Sequence, residues 1–111
     1  MTIRERIREI QVKTRDQAMT PAMARDFLVT LTALLGNVND ETREADVNYK
    51  RVLLNCLDTE EKANRARIRA ETSAEYLRAR EAKDTRDLVI EMIWSCKAYL
   101  RSLDEEMRLS R

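Results

Sequence analysis

The chain has 111 residues, 43% hydrophobic and 37% charged, with one Gly, one Pro, no His and a formal net charge of +1. One Gly and one Pro cannot furnish the turns of a sheet protein of this length, and the dominant Ala, Leu, Arg, Glu and Lys are the residues of long helices. An all-α fold follows, and the absent His removes the commonest general base and metal ligand from consideration.

The first helix is announced by Thr2 and Glu5, spaced as a capping box, and should run over residues 2–18. Ile3, Ile7 and Ile10 then draw one narrow apolar stripe on an otherwise charged segment, which needs a docking partner to be stable. Thr20 followed by Pro21 marks the second start, because a hydroxyl can accept from the free amides and proline at the first position forfeits nothing.

From Pro21 a heptad-like register with steps of three and four passes through Ala24, Leu28, Leu31, Leu35, Val38, Thr42, Ala45, Tyr49, Val52, Cys56, Thr59, Ala63, Ala66 and Ala70. It predicts a helix over 21–70, roughly 75 Å long at 1.5 Å per residue. The alternative is a break at 36–39, where the only Gly closes one helix and Asn39 caps the next. Thr72 and Glu75 have the spacing of another capping box, so a turn at 71–73 should reverse the chain into a final helix over 73–108.

A turn there pairs Ala66 with Ala79, Cys56 with Val89, Val52 with Ile93, Tyr49 with Cys96 and Val38 with Met107. The expected fold is a single domain, a short N-terminal helix plus a long antiparallel coiled-coil-like hairpin, with three to four helices in all. In this register Cys56 and Cys96 stay about 10 Å apart along the axis, beyond disulfide reach, and both read as buried thiols. The apolar residues exceed what such a hairpin can cover. Phe27, Leu31, Leu34, Met92, Trp94 and Tyr99 are therefore expected at an interface that completes a bundle by self-association, a dimer above all.

Charge is unevenly spread: residues 21–61 carry four cations against eight carboxylates, residues 62–86 eight against four. The basic segment includes Lys62, Arg65, Arg69, Arg78, Arg80 and Lys83. Clustered like this, the side chains could contact phosphates or a protein partner, although Glu71, Glu75, Glu81 and Asp84 interleave with them as on an ordinary solvated helix. Only Tyr76 lies there for base stacking. No catalytic residue, cofactor loop or metal-ligand spacing is found, and an enzyme is not expected. The longest apolar stretch, FLVTLTALLG, is too short to span a bilayer, which points to a cytoplasmic protein.

The segment KANRARIRAETSAEYLRAREAKDTRDLVIEMIWSCKAYLRSLDEEMR resembles the C-terminal half of small all-helical phage and prophage proteins of unknown function. The shared features are an Ala-and-charge hairpin, a Glu-x-x-Tyr after the turn and a closing stretch like Lys97 to Arg108. The resemblance implies a phage-encoded accessory protein, in the cytoplasm of a bacterium or phage-infected host, and transfers no catalytic residue. The expected function is thus that of a non-enzymatic interaction protein acting through protein contacts. The alternative is an accessory nucleic-acid binder in recombination or replication, using the basic tip.

Overall fold

The computed structural model describes residues 2–110, which form four α-helices and, among the described residues, no strand: α1 (Ile3–Asp16), α2 (Pro21–Thr59), α3 (Ala63–Glu71) and α4 (Ala74–Leu109). The first two starts follow the capping chemistry. Glu5 donates its amide to Thr2 Oγ1 at 3.2 Å, and the Thr2 amide donates back to Glu5 Oε2 at 3.3 Å. At α2, Met23 donates its amide to Thr20 Oγ1 at 3.1 Å, with Pro21 in the first helical position.

The break at 36–39 does not occur. α2 runs straight through Gly36, whose φ is negative and which has nothing within 4 Å of where a Cβ would stand. Gly in a helix interior costs about 1 kcal/mol relative to Ala. Leu34 and Val38, both buried, hold the helix on either side of it, and burying one such side chain contributes about 1.5–3 kcal/mol.

The interruption falls instead at residues 60–62, so the helix expected over 21–70 is two helices. Lys62 is extended, with φ −109° and ψ 127°, and no side chain caps α3. Packing explains the position. Cys56, Ala66 and Ala70 form one buried cluster, against which Tyr49, Val52 and Leu53 pack. A continuous helix would carry Ala70 roughly 21 Å from Cys56, so the chain must turn after Thr59 to bury all three. An ion pair of 3.0 Å between Arg69 and Glu60 closes the bend.

Contacts divide the chain into two compact units, one made of Met1–Gly36 with Asp87–Arg111, the other of Asn37–Arg86. In the second unit α2 and α4 are antiparallel: Thr42 Oγ1 lies 3.3 Å from Ala82 O, and Tyr49 stacks on Tyr76 with ring centroids 5.1 Å apart. This register replaces the expected one, in which Tyr49 met Cys96 and Ala66 met Ala79. The reversal is spread over residues 60–73, with α3 inside it, instead of being a tight turn at 71–73. Ser73, not Thr72, caps α4: the Tyr76 amide donates to Ser73 Oγ at 3.2 Å, while Thr72 Oγ1 donates to Arg69 O at 2.8 Å.

In the first unit α1 docks through its Ile stripe, with Ile7 and Ile10 buried, as its polarity requires. The rest of that core comes from Ala24, Phe27, Leu31 and Leu34 of α2 and Val89, Ile93 and Cys96 of α4. Tyr99 Oη donates to Met19 O at 2.8 Å and so ties α4 to the α1–α2 link.

Replacing Gly36 with Ala should raise stability by about 0.5–1 kcal/mol, read as a higher urea midpoint at unchanged slope, because the site is helical, exposed and sterically open. A loss of stability would show that the glycine is required where it stands.

Candidate functional site

The six basic residues singled out by the sequence all lie in the second unit and are all exposed. They are spread over the α2–α3 link and two helices. Lys62 precedes α3, Arg65 and Arg69 lie on α3, and Arg78, Arg80 and Lys83 lie on the early turns of α4. Arg69 is engaged by Glu60, and Arg80 Nη1 donates to Tyr76 Oη at 3.3 Å. The whole unit carries eleven Lys and Arg against eleven Asp and Glu, so its net charge is zero.

The true register assembles two features that sequence reading missed. Tyr49 joins Tyr76, with interplanar angle 55°, so the tip has an aromatic pair where one ring was expected. The Tyr49 hydroxyl is held above its ordinary pKa of 10.0, first by burial and then by the neighbouring Glu71 and Tyr76, with Arg67 opposing. The second feature is a groove between α2 and α4 lined by Asn39, Thr42 and Arg43 from one helix and Ala79, Lys83 and Arg86 from the other, with Asp46 at its side. Asp46 pairs with Lys50 at 2.9 Å and Arg43 with Asp40 at 3.8 Å. Both features become legible once Thr42 is set opposite Ala82. The periodicity of α2 alone cannot supply that pairing.

The expected interface residues divide sharply. Phe27, Leu31 and Leu34 are buried in the first unit's own core and offer no surface to a partner, because α1 and α4 together cover this side of α2. Met92 and Tyr99 are half-buried, the latter committed to Met19 O. Trp94 alone is left open, at 69% exposure. Other large apolar side chains stand free on the surface, among them Val29 at 72% and Leu54 at 61%.

A cavity of about 400 Å³ in the first unit is lined by Ile10, Thr14, Met19, Phe27, Met92 and Cys96, among others. Burial pushes the pKa of its thiol, Cys96, up, which disfavours the thiolate. Cys56 and Cys96 are both buried and unbridged. Among the described residues no group of three or more His, Cys, Asp or Glu comes together as a metal site, and no helix is long and apolar enough to cross a membrane. No family model, curated protein or solved structure matches this chain.

The raised Tyr49 pKa fixes the sign of a pH dependence. In the folded protein the hydroxyl keeps its proton above pH 10, where the unfolded chain loses it, so stability is complete below about pH 10 and falls as pH rises beyond it. Absorbance titration should show one phenol ionising later than in Tyr49→Phe, and that variant should lose less stability above pH 10.

Proposed function

We propose that this is a non-enzymatic helical interaction protein that works through protein contacts and self-associates, as an accessory protein of the phage or prophage kind. What supports the reading is that folding leaves large apolar side chains on the surface, Val29 at 72% and Leu54 at 61% exposure among them. Much of what stays exposed is of the kind that interfaces use, Trp94 foremost.

A second reading, accessory contact with single-stranded nucleic acid, draws support from Tyr49 standing beside Tyr76 with Arg67 and Arg80 as neighbours. Stacking on an aromatic ring contributes roughly 1–3 kcal/mol per base. The balanced charge of the unit weighs against it.

Sedimentation equilibrium of the full chain across micromolar concentrations should reveal a dimer in exchange with monomer. Labelled single- and double-stranded oligonucleotides at low salt should show no salt-sensitive binding. Binding that disappears in an Arg65→Glu, Arg69→Glu, Arg80→Glu variant would establish the second reading in place of the first.

A further inference from the structure

The α2–α4 groove of the second unit concentrates positive charge that the unit as a whole does not carry. Arg43 lines it from α2, and Lys83 and Arg86 from α4, around a volume of about 430 Å³. Its one carboxylate is Asp46, and Lys50, from outside the lining, already pairs with that group at 2.9 Å. The pair is neutral, so Asp46 offers little to the three cations. Thr42 gives its hydroxyl hydrogen to backbone carbonyls, Val38 O at 2.8 Å or Ala82 O at 3.3 Å, and the second contact holds the two arms at this spacing.

Like charges drawn into one groove raise its potential, and low-dielectric walls concentrate the field there. The carboxylates at hand do not cancel it. Asp40 reaches Arg43 only at 3.8 Å, between two exposed side chains, an arrangement that contributes little and is readily given up. Lys83 forms no ion pair among the described residues, and its neighbours one turn away on α4 include Ala79, Arg80 and Arg86. An anion from solution is the missing counterpart.

We propose that this groove binds a single phosphate group, inorganic phosphate or the phosphate of a small monoester, as the dianion. The lining supplies the matching chemistry. The guanidinium forks of Arg43 and Arg86 suit pairs of phosphate oxygens, the Lys83 ammonium adds a point charge, and the Asn39 carboxamide adds a neutral donor. Length selects against a nucleic-acid strand. Asn39 to Asp46 covers about 10 Å of α2, and Ala79 to Arg86 the same of α4, whereas strand-binding grooves usually track about four nucleotides or more. Charge selects the monoester: it carries about −1.5 to −2 at neutral pH, against the single charge of a backbone phosphodiester. Nothing in the groove depends on a second copy of the chain, so the site stands whether or not the protein self-associates.

Titration of the full chain with inorganic phosphate at low ionic strength, followed through backbone amide chemical shifts, tests the site. Saturable shifts should centre on Thr42, Arg43, Lys83 and Arg86. Lys83→Gln and Arg43→Gln should each weaken binding about tenfold, the effect of losing a hydrogen bond to a charged group, with circular dichroism confirming that the helices stay intact. Asp46→Asn should tighten binding, a gain that a merely structural role would not produce. Lys62→Gln, which removes a positive charge from the same unit outside the groove, should change it far less. Glycerol 3-phosphate, a monoester, should bind more tightly than dimethyl phosphate, a diester. No saturable binding of phosphate, or binding that survives both Lys83→Gln and Arg43→Gln, overturns the site. Equal affinity for the two esters overturns its preference for the dianion. Oligonucleotide binding that is lost in Lys83→Gln, without uptake of inorganic phosphate, makes the groove a strand-binding surface and overturns the small-ligand assignment.

Discussion

Ala66 and Ala70 have no exposed surface, and they share one cluster with Cys56, which precedes them by ten residues or more in the sequence. A straight helix cannot bring those three together. The chain satisfies the requirement by stopping α2 at Thr59, extending through Lys62 and folding α3 back over the end of the hairpin. Everything in the second unit follows from that bend. With about nine residues spent on α3, the return helix begins at Ala74, and Tyr76 lands on Tyr49 instead of on a residue farther along the outgoing helix. The tilted ring pair is of the kind that contributes about 0.5–1.5 kcal/mol beyond its area, and it fixes the register at that end.

The first unit is organised by a different constraint. α1 is too polar to persist alone, and its two buried isoleucines are what hold it. The extended link after Asp16 is pinned by the hydrogen bond from Tyr99 to Met19 O, which satisfies a carbonyl that no helix supplies with a donor. Phe27, Leu31 and Leu34 are consumed by this packing. They looked like interface residues because a two-helix hairpin cannot cover them; α1, crossing the same region, can.

The surface that remains is rich in charged side chains, some of them paired within their own helix. Its ion pairs include exposed i,i+3 and i,i+4 pairs, Lys13 with Glu9, Arg43 with Asp40 and Lys50 with Asp46, which contribute little to stability individually. One acidic partner of the basic tip lies farther off in the sequence: Glu60, nine residues before Arg69, pairs with it at 3.0 Å. Folding mixes the two signs and leaves apolar side chains, not net charge, as the distinctive exposed groups.

Sequence by itself determined the helical class and the first two helix starts, since capping hydroxyls, a proline at the first position and three-and-four spacing act over a few residues and need no tertiary partner. It also placed Ile7, Ile10, Val89, Ile93 and Cys96 on buried faces, because a continuous helix keeps its stripe wherever it packs. It failed where two segments had to choose each other. The register of Ala63, Ala66 and Ala70 continues that of α2 arithmetically, so no local signal distinguishes a longer helix from a bend followed by a second one. Only the tertiary structure decided that burial at Cys56 outweighs the uninterrupted helix. That same choice selected Tyr76 as the neighbour of Tyr49 and carried α2 intact through the one glycine that composition had marked for a break.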